Sequence, residues 1–192
     1  MAVTINLAVY ASNNKGIDVT PVVASLIAQG NDDVPVNNAT FTDPDFGAAK
    51  YFFVWYTVDG INSDNPIGLA TAEGTNADLV PVPGYPPYYF STSPQPGIAA
   101  SQITAFLVQR AIYGTLNNGF DVTAICQAIL NQGGLIVGQS KLNNQIPIAN
   151  STFGGDPDHG NKKYFAIQYL ANGAGPYFLG ASEGQTLTVT AQ

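Results

Sequence analysis

At 192 residues the chain has room for one large domain or two small ones, and 45% hydrophobic with 11% aromatic content is enough apolar material for a core. Charged residues make up only 10%, and 13 acids against 6 bases give a net charge of -7, so a nucleic-acid phosphate backbone would be repelled and no nucleic-acid partner is expected. One cysteine excludes an internal disulfide framework, and no apolar run reaches the ~20 residues of a membrane helix, so no membrane span is expected.

The elements follow in chain order. Val3, Ile5, Leu7 and Val9 alternate with Thr4, Asn6, Ala8 and Tyr10, the period of a strand with one buried face. The opening Met1 to Asn6 has no basic, continuously apolar leader, so no signal peptide is expected. Thr20 followed by Pro21 reads as an N-cap with proline at the first helical position, Val22, Val23, Leu26 and Ile27 repeat at helical spacing, and Gly30 is placed to end the helix. Phe52, Val54 and Tyr56 mark a central strand. Tyr85-Pro86-Pro87-Tyr88-Tyr89-Phe90 lies in a segment rich in Pro, Gly and Tyr. Phe165, Ile167 and Tyr169 mark a second central strand, and Gln185 to Thr190 alternates Leu187 and Val189 with three threonines.

These elements occur twice. Tyr10, Gly16, Asp18-Val19-Thr20 and Gln29-Gly30 recur 103 residues later as Tyr113, Gly119, Asp121-Val122-Thr123 and Gln132-Gly133. After a longer loop, Asn38, Phe41, Asp43-Pro44-Asp45, Lys50 and Glu73-Gly74 return as Asn150, Phe153, Asp156-Pro157-Asp158, Lys163 and Glu183-Gly184. So many matches in order imply duplication. The expected fold is mainly β, of the α+β class: two tandem homologous small β-sandwich-like domains, each with one short helix, over 1–80 and 104–192, joined by a linker over 81–103 that packs on the units.

Asp-Val-Thr, then Asn-x-x-Phe, then Asp-Pro-x-x-Gly-x-x-Lys before an aromatic strand, then Glu-Gly before the last strand, resembles the domain of unknown function at the C-terminus of some mitochondrial J-domain proteins and related stand-alone microbial repeats. Both copies carry the likeness. It implies a shared fold; it brings no catalytic or binding residues, and the chain has no J-domain.

Five aligned charged pairs stand out in a chain so poor in charge: Asp18 and Asp121, Asp43 and Asp156, Asp45 and Asp158, Lys50 and Lys163, and Glu73 and Glu183, which are the only glutamates. Asp43, Asp45, Asp156 and Asp158 are candidate calcium ligands, since carboxylates one residue apart before a glycine turn offer hard oxygens. The competing reading is an Asx-type turn, in which the aspartates accept nearby backbone N–H groups and pair with Lys50 or Lys163. Beyond calcium no cofactor is expected. His159 has Phe46 as its counterpart and reads as a solvated turn residue; Cys126 matches Val23 and reads as core. No P-loop, dinucleotide fingerprint or zinc spacing is present, so enzyme activity is not expected. Asn38 and Asn150 open the only two glycosylation sequons, at matching positions, and serve equally as turn-fixing amides.

One asymmetry lies on the central strands. The outward positions are Ala166 and Gln168 in the second copy, as for a face meeting water, but Phe53 and Trp55 in the first. A patch that large calls for a cover: the linker with Tyr85, Tyr88, Tyr89 and Phe90, another copy of the chain, or a sugar ring on the indole. Two functions follow. The first is a non-enzymatic structural protein that self-associates into an oligomer or filament through strand or linker contacts, since Val3 to Ala11 and Gln185 to Thr190 could pair across subunits; assembly should then be lost when Phe53 and Trp55 become Gln. The second is a carbohydrate-binding, lectin-like module stacking glycans on Trp55, with a calcium-dependent adhesin as a further alternative. These readings lean towards an extracellular or cell-surface setting.

Overall fold

The computed structural model describes residues 3–59, 66–79, 90–92, 106–131 and 144–191. The chain runs β1 (Val3–Ala11), β2 (Gly16–Asp18), α1 (Thr20–Ala28), β3 (Asp33–Pro35), α2 (Asn38–Phe41), β4 (Tyr51–Val58), β5 (Ile67–Ala72) and β6 (Asn76–Asp78). It continues with β7 (Phe90–Thr92), β8 (Phe106–Gly114), β9 (Gly119–Asp121), α3 (Thr123–Asn131), β10 (Gln145–Pro147), β11 (Tyr164–Ala171), β12 (Ala174–Ser182) and β13 (Thr186–Thr188). The fold is mainly β, with two similar halves. The first half forms a sheet of order β2-β1-β4-β5 and the second repeats it as β9-β8-β11-β12, with β7 added beside β9. Each half also carries a two-stranded ribbon, β3-β6 or β10-β13, and every pairing is antiparallel except β7 with β9.

Each half has its own core between the inner face of its sheet and its helix and ribbon. In the first half Ala8, Tyr10, Phe52, Val54 and Tyr56 meet Val19, Val23, Val34, Phe41 and Ala77. In the second, Ala111, Tyr113, Phe165, Ile167 and Tyr169 meet Val122, Cys126, Ile146, Phe153 and Leu187. An aromatic ladder recurs: Phe41 stacks on Phe52 at 5.2 Å and Phe153 on Phe165 at 5.3 Å.

The Asp-Val-Thr motif starts each helix differently from a threonine N-cap. The N-cap of α1 is Val19, with no side-chain cap bond. Instead the Thr20 N–H donates to Asp18 Oδ1 at 2.8 Å, and Thr20 Oγ1 accepts the Ala8 N–H of β1 at 2.8 Å. Thr123, Asp121 and Ala111 repeat the arrangement at 2.9 and 2.8 Å. The threonine hydroxyl is committed to a buried strand N–H that would otherwise lack a partner, so the aspartate takes over the helix end. At the other end Gly30 sits at φ 80°, its N–H bonded to Ile27 O while the Asn31 N–H reaches Leu26 O, the left-handed closure that glycine makes inexpensive.

β1 does not have one buried face. The register shifts between Ile5 and Leu7, leaving Asn6 as the extra residue of a bulge. Val3 and Ile5 therefore pack on the first core, whereas beyond the bulge Leu7, Val9 and Ala11 point to the opposite side, and Ala8 and Tyr10 face the core. The same slip recurs in the second half, where Gln168 pairs with Arg110 and Tyr169 with Val108, skipping Gln109. β4 pairs along the length of β1 on one side, β2 pairs with Val9–Ala11 on the other, and Thr186–Thr188 pairs with β10.

Candidate functional site

The repeated charges assemble into one cluster per half. Lys50, only 4% exposed, holds its ammonium 3.0 Å from Asp43 Oδ1 and 3.7 Å from Glu73 Oε2. Lys163, 3% exposed, does the same with Asp156 at 2.6 Å and Glu183 at 3.9 Å. Asp43 Oδ1 also accepts the Asp45 N–H at 3.0 Å, and Asp43 Oδ2 accepts the Asn38 amide at 3.3 Å. Asn38 Oδ1 in turn accepts the Tyr10 hydroxyl at 2.9 Å. Asn150 likewise accepts from Tyr113 at 2.7 Å and donates to Asp156 at 3.3 Å. The sequon asparagines thus tie the core tyrosine to the Asp-Pro-Asp turn, while Asn37, one residue earlier, caps α2 by accepting the Thr40 N–H.

The second aspartate of each turn reaches the β1–β2 or β8–β9 hairpin. Asp45 Oδ2 accepts the Ser12 hydroxyl at 2.6 Å, and Asp158 Oδ2 accepts the Thr115 hydroxyl at 2.5 Å. Those hydroxyl oxygens accept the N–H groups of Asn14 and Lys15, and of Asn117 and Asn118, fixing both hairpin loops. The Ser12 bond holds the Asp45 carboxyl below the usual carboxylate range, and the Lys163 bond does so for Asp156. Burial pulls Asp158 the other way, but hydrogen bonds from Thr115, Asn161 and Asn117 and the Lys163 charge outweigh it.

In chemical terms, the cation facing Asp43 and Asp156 is a lysine of the chain itself. Among the described residues no group of three or more His, Cys, Asp or Glu is placed to hold a metal ion. Asp43 and Asp156 have the turn geometry and lysine pairing of the Asx reading, whereas Asp45 and Asp158 are engaged by side chains of the hairpin loops. His159 is exposed, and Cys126 is fully buried in the second core, where burial pushes its thiol up and away from the reactive thiolate.

The aromatic outer face is covered by the other half of the same chain. Phe53 is 0% and Trp55 2% exposed, because the outer faces of the two sheets pack on each other. Leu7, Val9, Ala11, Tyr51, Phe53, Trp55 and Ala70 of the first half meet Ile112, Ala166 and Phe178 of the second. Ala166, expected to face water, is 1% exposed. Small residues there make room for the large ones opposite, which is why the asymmetry of Phe53 and Trp55 against Ala166 and Gln168 signals a mating surface rather than an open one. With its indole inside, the chain lacks the stacking platform that the lectin reading placed on Trp55. Tyr85, Tyr88 and Tyr89 lie outside the described residues, as does most of the 81–103 segment, and Phe90 is the first residue of β7.

The contact between the halves is built symmetrically, a feature that composition and spacing did not disclose. The Gly180 N–H donates to Ser12 O at 2.7 Å, and the Ala70 N–H donates to Thr115 O at 3.0 Å. Ser12 and Thr115 are counterparts, as are Ala70 and Gly180. Each hairpin loop therefore docks on the edge strand of the other half, in the reciprocal manner of a two-fold interface. Compared with known proteins, the chain matches no family model, no curated protein and no solved structure.

Proposed function

We propose that the chain is a non-enzymatic structural protein that self-associates, as an oligomer or filament subunit. What supports this reading is the use made of its repeated polar groups. The duplicated carboxylates, lysines, asparagines and core tyrosines bond to one another and to the hairpin loops, and none of these described groups is left directed at a ligand. Catalysis needs the opposite, a polar group held ready for a substrate.

The test is light scattering and electron microscopy of the purified chain at micromolar concentration, with oligomers or filaments expected. A monodisperse monomer across concentration would remove the self-association reading. Substituting Phe53 and Trp55 by Gln does not isolate assembly, because both side chains belong to the interior of a single chain.

A further inference from the structure

The described surface offers a second copy few large apolar side chains. Its exposed large hydrophobic residues are Val22, Phe46 and Leu107, three scattered positions. Scattered apolar residues of this kind are ordinary for a soluble surface. β1, the long strand nearest the start of the chain, is paired with β4 along its length and with β2 over Val9–Ala11. The extensive apolar face that another sheet fits is the one already in use between the halves, centred on Phe53 and Trp55 on one side and Ile112, Ala166 and Phe178 on the other.

That face has the features of a subunit interface inside one chain. Each half keeps a separate core. The reciprocal Ser12–Gly180 and Thr115–Ala70 backbone bonds are those of an isologous pair. Covalent continuity contributes nothing to the contact itself. After Leu79 only residues 80–89 precede β7, which is paired with β9 of the second half, and ten extended residues reach at most about 35 Å. The second half of any other copy carries the same face as the chain's own.

We propose that the two outer faces recognise each other in trans: the first half of one copy takes the second half of another, so self-association proceeds by exchange of halves rather than through a free surface. Reciprocal exchange closes a dimer, and open-ended exchange propagates a chain of copies. For the assembled state this rests on the self-association reading; for the recognition between faces it does not.

Two full-length variants test it. Trp55→Asp places an unpaired carboxylate in the first face, and Phe178→Asp places one in the second. Mixed after joint denaturation and refolding, they should give a one-to-one species of two 20.1 kDa chains by native mass spectrometry, absent from either variant alone. In that species the intact first face of one chain meets the intact second face of the other. No such species on mixing, with both variants retaining sheet by circular dichroism, overturns the proposal. If either variant loses its sheet, the unsubstituted chain decides, through its single tryptophan. Refolding at rising concentration should yield a dimer whose Trp55 emission matches the monomer's. Only monomer at every concentration, or a dimer with red-shifted emission, overturns the proposal. Native assembly without one-to-one pairing of the variants removes exchange alone, and pairing of the variants without native assembly removes the self-association reading alone.

Discussion

The ring of Tyr51 lies 5.6 Å from that of Tyr164, tilted by 34°, and the two occupy the same position in the two halves, each following the paired lysine of its cluster. A residue meets its own counterpart only near a two-fold axis. Around that axis the remaining contacts exchange roles, Ser12 with Gly180 and Thr115 with Ala70. The fold is thus a symmetric pair in which one chain supplies both partners. Replacing Tyr51 or Tyr164 by Ala should destabilise the chain in urea. The double mutant should lose less than the sum of the two single losses, by about 0.5–1.5 kcal/mol, the range for an aromatic pair in contact. Strict additivity would mean the rings do not interact.

Glycine at the start of the returning strand is required by the same packing, and unequally. A Cβ on Gly16 would lie 2.7 Å from Phe178 O and 2.6 Å from Ala11 Cβ, whereas one on its counterpart Gly119 would approach Gly68 O only to 3.3 Å. Backbone on one side cannot yield as a flexible side chain would. Gly16→Ala should therefore cost about 1–3 kcal/mol, the range for overpacking, and Gly119→Ala distinctly less. Equal losses in chemical denaturation would show that the close approach is not what selects glycine.

Much of this architecture was legible in the sequence, through features that depend on local chemistry. The duplication, the helix between Thr20 and Gly30, the strand at Phe52 to Tyr56 and the pairing of Asp43 with Lys50 all follow from periodicity and spacing within short stretches. The bulge at Asn6 was not legible, because an unbroken apolar alternation from Val3 to Val9 says nothing of a one-residue slip opposite Trp55. The face holding Phe53 and Trp55 was recognised as needing a cover. The cover was missed because Ile112, Ala166 and Phe178 come from three strands far along the chain, and alanine carries no signal of its own. The one available hint was that Ala166 and Gln168 stand where bulk would clash with the aromatic residues of the first copy.

The buried lysines give a sharper prediction. Replacing Lys50 by Met leaves Asp43 and Glu73, 25% and 31% exposed, facing each other without a counter-charge. Removing one member of a fully buried pair costs about 3–5 kcal/mol, and partial access of water to these carboxylates reduces this to about 1–3 kcal/mol. Lys163→Met should lose a similar amount, since Asp156 and Glu183 are each 27% exposed. Adding calcium to the intact chain should leave its unfolding midpoint where EDTA leaves it, because the ammonium already meets the carboxylates. A midpoint raised by calcium and lowered by EDTA would return the Asp-Pro-Asp turns to the list of metal ligands.

Stability should fall away at both ends of the pH scale, for different groups. Asp45, Asp156 and Asp158 are held below the ordinary value of 3.8 in the fold. Their contribution is complete above that value and disappears as pH falls through the lower folded values, where Lys163 loses its partner and the hairpin bonds weaken. The tyrosines act in the opposite sense. Burial first, then the neighbouring carboxylates Glu73 and Asp43, pushes Tyr10 well above its ordinary 10.0, and burial with Glu183 and Asp156 does so for Tyr113. Tyr169, raised to about 12, is shifted by burial against the opposing bond to Thr190 O. A raised folded value means that this contribution is intact below pH 10 and is lost as pH climbs towards the folded value. Thermal midpoints should therefore form a plateau between these limits. Absorbance at 295 nm should show Tyr10, Tyr113 and Tyr169 ionising only as the Trp55 signal reports unfolding. Asp45→Asn should flatten part of the acid limb, and Tyr113→Phe part of the alkaline limb while lowering the plateau through loss of the Asn150 bond. Reversible ionisation of all the tyrosines near pH 10 in a chain that stays folded would contradict the burial of Tyr10, Tyr113 and Tyr169.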